Sequence, residues 1–471
     1  MKIKGFLLVV LFAVASYNLN AQFIEDALRF AQPNGYITAR AGGYGIAFNG
    51  ISDDFSALVF NPAGLSLIGK TELSFGLGFQ RNSTETDFLK TVNTFKSNDA
   101  FITHAGMAVP FKTRQGNAAV GIGYVLESNY NNNLKYYGFN DNSTLIHNIA
   151  ITGNPSNFED NVAYHLWLAD STLKTPIVDS LEQNVFIKES GGLHSVYGGA
   201  SFDLSEYVSA GFTLGGKWGN YKYNKKYTET DVYNKYNTFV DDYSNLDFFQ
   251  YEREEHISQT ISGITGSIGI MGRIQEFMRF GVTVKFPTFF EVDETFGHND
   301  YATFDNGWKP NPYTPEDLQT SYKVRTPFIY SAGISLNAAG ITFSAGVEYV
   351  DVTQLEFSDA LKEIEDLNMR IVQELVGQTS WGFGVEYEIP LVPIVARASF
   401  QSTTSPYQQD VAGASIKNFA VGGGIYLADN IRLDGLFRWT DYSQLRTNYA
   451  NSRYVMNINP MNLSLQLTYR Y

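Results

Sequence analysis

Residues 71–80 read TELSFGLGFQ, and this stretch decides the fold. Thr71, Leu73, Phe75, Leu77 and Phe79 point one way along an extended chain. Glu72, Ser74, Gly76, Gly78 and Gln80 point the other way. A period of two with a single oily face marks a strand that meets apolar surroundings on one side only.

The pattern recurs to the C-terminus. Similar stripes lie near residues 101–111, 118–126, 193–203, 208–218, 264–270, 280–286, 322–336, 341–349, 381–387, 396–400, 419–427, 431–439 and 463–471. That makes about fourteen strands. The connections alternate in length. Those at 112–116, 204–206, 274–278, 337–340, 389–393 and 428–430 are tight. Those at 81–100, 131–192, 222–256, 288–321, 352–377, 403–416 and 442–460 are long. An even strand count with short turns on one side and long loops on the other predicts an all-β fold, an antiparallel transmembrane β-barrel. A soluble sandwich or propeller would share the alternation but not the parity of the loops.

The two faces of the stripes agree. One carries Leu, Ile, Val, Phe and Ala. The other carries Glu72, Glu127, Arg273, Lys285, Lys323, Arg325, Glu348, Glu386, Arg397, Arg432, Asp434, Arg438 and Arg470, which a polar lumen would accept. Within the loop at 359–376, the spacing of Leu361, Ile364, Leu367, Ile371 and Leu375 predicts a helix over the barrel mouth.

Composition narrows the function. The chain has 471 residues, with Phe 35, Tyr 30 and Gly 42, and only 17% charged residues. No apolar run outside the N-terminus reaches the roughly 18 residues a membrane helix needs. Cysteine is absent, which removes disulfides and thiolate chemistry. The net charge of −14 excludes a nucleic-acid partner. Residues 1–21 read as a signal peptide, with Lys2 and Lys4 before the apolar run 6–15 and a cut after Ala21. Both termini of the mature chain are then expected on the periplasmic side of a Gram-negative outer membrane.

No catalytic set is legible. HExxH, GxSxG and P-loop patterns are absent, and His104 beside Thr103 is a weak hydrolase candidate at best. Neither a metal nor a cofactor is expected, and the chain is read as a non-enzyme.

Residues 39–70, ARAGGYGIAFNGISDDFSALVFNPAGLSLIGK, fit neither strand nor helix. Glycines at 42, 43, 45 and 50 weaken regular structure, and Pro62 holds Asn61 away from helical geometry. A compact, sparsely charged segment directly before strand one can fold into the lumen as an N-terminal plug. The domain expectation is thus 1–21 signal, 22–70 plug and 71–471 barrel, with a short helix at 24–31.

This stretch resembles the N-terminal hatch of FadL-type outer-membrane transporters of long-chain fatty acids and aromatic hydrocarbons. Asn61-Pro62-Ala63 match that family's Asn-Pro-Ala motif residue for residue. The resemblance implies passive uptake of a hydrophobic small molecule, captured by outer loops and held in an apolar pocket. It implies lateral release where the third strand is kinked, with hatch movement coupling binding to opening. Gly121 and Gly123 on strand three are the candidates for that bend. Lys323, Arg325 and Arg397 are candidates for a ligand head group, with lumen salt bridges to Glu348 or Glu386 as the alternative. Expected neighbours are outer-membrane lipid and lipopolysaccharide, and a monomer is favoured. A docking barrel for protein secretion is the other class kept open, with a hydrolase behind it.

Overall fold

The computed structural model describes residues 20–31, 38–114, 116–237 and 247–471. The signal peptide therefore lies outside the described residues, apart from Asn20 and Ala21. Those two open the first helix, α1 (Asn20–Ala31).

All strands among the described residues belong to one sheet. In chain order they are β1 (Glu72–Phe88), β2 (Thr91–Thr113), β3 (Gly116–Asn129), β4 (Asn132–Asn140), β5 (Leu181–Asp203), β6 (Val208–Thr230), β7 (Phe248–Ile274), β8 (Met278–Lys285), β9 (Phe289–Phe304) and β10 (Leu318–Arg325). They continue as β11 (Ile329–Ala338), β12 (Ile341–Val350), β13 (Glu356–Ser358), β14 (Gln378–Glu388), β15 (Ile394–Thr403), β16 (Ile416–Ala428), β17 (Ile431–Tyr449), β18 (Ser452–Ile458) and β19 (Met461–Arg470). Fourteen of them close an antiparallel ring, β1-β2-β3-β5-β6-β7-β8-β11-β12-β14-β15-β16-β17-β19, and β19 returns to β1 from Glu72↔Arg470 to Arg81↔Met461. The remaining five extend the wall beyond the long-loop end. β4 adds to β5; β9, β10 and β13 hang from β7; β18 bridges β17 and β1.

The apolar stripes face outward. Leu73, Phe75, Leu77 and Phe79 are exposed while Glu72, Ser74 and Gln80 are buried, and every strand of the ring shows such a stripe. A contiguous oily belt of this size around a closed barrel is a lipid-facing surface. Its upper edge carries packed rings, with Phe400–Phe419 tilted at 4.8 Å and Phe419–Trp439 stacked at 5.8 Å.

Two sequence expectations need correction. The stripe at 322–336 is two strands. Tyr322 and Val324 belong to β10, outside the ring and almost fully buried, and β11 restarts at Ile329. Pro327 stands in the gap, where a ring strand would need its missing N–H. Several long loops are also strand. β1 and β2 run on to a tight turn at Leu89 and Lys90, both with positive φ. β5, β6 and β7 reach 23, 23 and 27 residues, more than twice the ~10 that cross a bilayer. Thr, Asn and charged residues on both faces hide these extensions from a search for one oily face.

The extensions enclose a dome with its own core, including Phe88, Tyr136, Tyr227, Tyr251 and Phe304. Its helices α3 (Leu145–Thr152) and α4 (Val162–His165) pack there, after α2 (Ala39–Gly42) in the lumen. The helix expected at 359–376 is two, α5 (Lys362–Glu365) and α6 (Leu367–Glu374). Ile364, Leu367, Ile371 and Leu375 are buried as expected, but Leu361 is exposed.

Those four share a core with Ile24, Leu28 and Phe30 of α1. The described N-terminal helix thus sits at the long-loop end of the barrel. The C-terminal Tyr471 pairs with Thr71 at the short-turn end. The expectation that both termini lie at one end does not fit this arrangement. An amphipathic α1 buries its apolar face only by reaching the loop core.

Candidate functional site

Residues 38–70 are wound into short turns inside the ring. Three side chains start those turns. Thr38 Oγ1 accepts from Ala41 N at 3.0 Å, Asp54 from Ser56 N at 2.8 Å, and Asn61 Oδ1 from Ala63 N at 3.1 Å. This is N-cap chemistry, and it lets a Gly-rich segment hold a shape without a ladder of its own. Pro62 follows Asn61 at the first helical position, where its missing donor costs nothing. Asn61 also donates to the carbonyl of Ile270 on β7 at 3.1 Å. The Asn-Pro-Ala triplet therefore tethers this segment to the wall, and all three residues are buried.

The wall receives this segment on glycines. A Cβ at Gly211 would lie 2.5 Å from the Pro62 carbonyl carbon; one at Gly269 would collide with Asn61, and one at Gly346 would lie 2.6 Å from the Ile46 carbonyl. Gly121 and Gly123 belong to the same belt. They meet Leu58 and Phe55, while β3 stays paired to both neighbours through them. Close packing, rather than a bend, is what these two glycines do. The belt is legible only in retrospect, as glycine recurring on the lumen face of successive strands.

Charge completes the anchoring. Arg40 of the hatch pairs with Asp53, with Asp54 at 3.3 Å and with Glu386 of β14 at 3.7 Å. Asp53 reaches Arg279 of β8 at 2.8 Å. Arg397 pairs with Glu386 and with Asp434 at 2.6 Å, and Arg432 holds Asp434 at 2.7 Å. Arg397 is thus engaged by two buried carboxylates, the salt-bridge alternative. Lys323 and Arg325 lie outside the cavity, half exposed, and pair with Asp359 at 2.7 Å and Glu356 at 2.5 Å. The three proposed head-group cations are not brought together.

Above the hatch lies a cavity of about 1440 Å³. Its floor is the hatch surface at Ile46, Leu58, Val59 and Phe60, and α1 lines one side. Val125, Phe286 and Ile329 continue the apolar floor onto the wall. The upper lining is rich in amides and tyrosines, among them Asn131, Asn148, Gln444, Asn448 and Tyr449. The apolar part of this cavity is therefore its lower part.

The wall is interrupted beside it. β2 and β3 pair from Thr113↔Gly116 up to His104↔Val125 and no further. Above that point β2 pairs with β1 alone. β3 bulges at Glu127, between Leu126↔His194 and Ser128↔Leu193, and continues on β5 alone. Asp99 of β2 bridges the seam, accepting from the amides of Asn129 and Asn131, both at 2.7 Å. Val125, Glu127, Ser128 and Asn129 line the cavity from within. Tyr124, His194 and Trp218 cluster on the lipid side, with Tyr124 Oη 2.8 Å from His194 Nδ1. The bulge, not the glycines, marks the irregular part of strand three, and no sequence signal announces it.

His104 has a serine partner, Ser74 Oγ at 2.9 Å from Nε2, and Thr103 at 3.0 Å from Nδ1. The pair is buried and roofed by the Phe55 ring at 5.8 Å. A nucleophile there would have no room for an acyl substrate, and a threonine stands where a triad needs its carboxylate. Among the described residues no cluster of His, Asp and Glu could hold a metal ion.

No protein-family profile matches the chain, and no curated protein does. Solved structures do. A FadL homologue of Pseudomonas aeruginosa superposes with a TM-score of 0.57 at 11% identity, over 92% of this chain and 98% of that one. The toluene transporter TbuX of Ralstonia pickettii gives 0.52 at 14% identity, over 93% and 99%. The toluene transporter TodX of P. putida gives 0.53 at 10%, over 89% and 94%. The resemblance first carried by one Asn-Pro-Ala triplet is therefore a likeness of fold across nearly the whole chain, and the fold this chain shares is that of the FadL-type transport barrels.

Proposed function

We propose that the protein is a non-enzymatic channel of the outer membrane for passive uptake of compounds with a hydrophobic part, long-chain fatty acids and aromatic hydrocarbons being the nearest precedents. The ligand enters from the dome, rests in the cavity on the hatch, and leaves sideways between β2 and β3. The observation that carries this reading is the coincidence of cavity and seam: the wall loses its ladder where the cavity reaches the β3 bulge. An oily solute gains nothing from an aqueous pore, and side exit delivers it to lipid directly. Asn61-Pro62-Ala63 hold the hatch that forms the floor, and its displacement widens the route.

In this reading the apolar belt faces lipid on every strand of the ring, which supports a monomer surrounded by lipid and lipopolysaccharide. No specific observation favours the secretion-docking alternative.

The test uses the absence of native cysteine. Asp99→Cys with Asn129→Cys places two thiols across the seam. Joining them with a reducible bifunctional cross-linker is expected to bring uptake of labelled oleate or toluene to background, and reduction to restore it. Undiminished uptake by the cross-linked protein would rule out the lateral route.

A further inference from the structure

We infer that the outer wall of β4, β5 and β6, above the lipid-facing belt, binds the phosphorylated sugar head of an outer-leaflet glycolipid. The inference rests on the outer-membrane placement of the barrel and not on uptake. Its observation is a cluster of outward lysines, Lys135, Lys188, Lys222 and Lys226, in a chain of net charge −14.

Register brings the four together. Lys188 lies opposite Asn133 on β4 and Asn224 on β6. Lys135 is two residues from Asn133, and Lys222 and Lys226 flank Asn224 at the same spacing. Such diagonal neighbours stand about 7–8 Å apart. All four lysines are exposed, and they alternate with the buried Leu134, Tyr136, Ile187, Tyr221 and Tyr227. Like charges so placed repel. Lys226 is matched by Glu252 and Glu254 of β7. Lys135, Lys188 and Lys222 have no ion pair or side-chain hydrogen bond among the described residues. The exposed cations Lys323 and Arg325, on β10, are matched by Asp359 and Glu356. A phosphate carries up to two charges and three strong acceptor oxygens, so one such group can serve several converging ammonium groups.

Height identifies the carrier. The belt ends on β6 at Trp218, which lies opposite His194 of β5. Lys222 is four residues past Trp218, Lys188 is six from His194, and Lys226 is eight past Trp218. At about 3.3 Å per residue and a tilt near 40°, these steps raise the lysines roughly 10, 15 and 20 Å above the belt. A phospholipid head reaches only about 5–8 Å beyond the hydrocarbon. A lipid that meets all of these lysines therefore carries a head of several sugar rings. The wall also offers a ring somewhere to rest. A groove of about 290 Å³ is lined by Lys135, Asn184, Phe186, Lys226 and Thr228, an aromatic face among amide, hydroxyl and ammonium groups. Phe95 packs edge-on against Phe186, with ring centroids 6.2 Å apart.

The test compares lipids around the intact protein. Thr260→Cys, on the outer face of β7 away from the cluster, carries a donor dye on the full chain in phosphatidylcholine nanodiscs. The discs hold trace acceptor-labelled lipid: rough lipopolysaccharide with its core phosphates, the same lipid dephosphorylated with hydrofluoric acid, or phosphatidylglycerol. Energy transfer is expected to show the phosphorylated glycolipid enriched about tenfold over the other two. Lys188→Gln with Lys222→Gln is expected to lower that enrichment at least about fivefold, and to leave heat-modified gel migration as in wild type because both side chains are exposed. Equal enrichment of the dephosphorylated lipid, or an undiminished signal from the double variant, would overturn the inference. Equal enrichment of phosphatidylglycerol would overturn it too, since height would then not matter. None of these outcomes touches the uptake reading, which the cross-linked seam tests separately.

Discussion

The two ends of the barrel are built on opposite principles. At the short-turn end the hatch meets the wall backbone to backbone, on glycines, with charged side chains paired across the contact. At the long-loop end the wall stands away from the chain it encloses, and a cavity, a helix and a dome share the space. The lower end is a packed core that happens to be inside a barrel. The upper end is a vessel. Stability and specificity are therefore expected to separate along the barrel axis, and variants can test that separation.

The largest effect should come from the buried ion network. Arg397→Met leaves Glu386 without its closest wall partner and Asp434 short of one of two. Removing one partner of a buried pair costs about 3–5 kcal/mol. The expected readout is a lower thermal midpoint and early protease cleavage within 38–70. A midpoint equal to wild type would show that the lower end is not held by charge.

The glycine belt comes next. Gly211→Leu should force the Asn-Pro-Ala turn off β6 and cost roughly 1–3 kcal/mol or prevent assembly. Gly216→Leu, on the same strand with nothing within 4 Å, should fold as wild type. Heat-modified migration on a gel separates the outcomes, and equal migration of the two variants would break the contrast between packed and open faces.

Asn61→Ala should cost about 1 kcal/mol, the usual loss for an N-cap, while sparing the barrel. Uptake should change although the ring still forms. If the barrel failed to assemble, the hatch would be a folding element rather than a gate.

The smallest effect is local and lies in the dome, outside the lipid-crossing part of β6. Burial raises the Glu229 carboxyl from 4.5 to about 7, although it accepts from Leu145 N at 2.6 Å, Ile146 N at 3.2 Å, Tyr227 Oη and Gln183. A raised carboxyl binds more protons folded than unfolded, so dome stability falls as pH climbs from about 4.5 to 7 and is level above. Amide-exchange protection of α3, corrected for intrinsic rate, should be lower at about pH 8 than at about pH 5. Glu229→Gln should flatten the difference; protection that rises with pH would contradict it.

Much of this was legible before any coordinates. The period of two in residues 71–80 and its repeats placed the ring strands, and loop parity gave the sidedness. Ile364, Leu367 and Ile371 announced a packed helical face. Lys323 and Arg325 show where such reading stops. They alternate like lumen residues, yet the break at Pro327 takes them out of the ring, Arg325 to Glu356 on β13 and Lys323 to Asp359 just after it. Arg397 alternates in the same way and does face inward, to Glu386 and Asp434.

The chain by itself determined what depends on neighbours along it: strand periodicity, turn lengths and the absence of cysteine chemistry. Only the tertiary structure decided the glycine belt, the Arg40 and Arg397 network, the β2–β3 seam and the position of α1. The physical reason is range. Side-chain alternation is fixed by the geometry of two residues, whereas a close approach, a buried charge pair or a missing ladder depends on segments hundreds of residues apart, which only closure of the ring brings together.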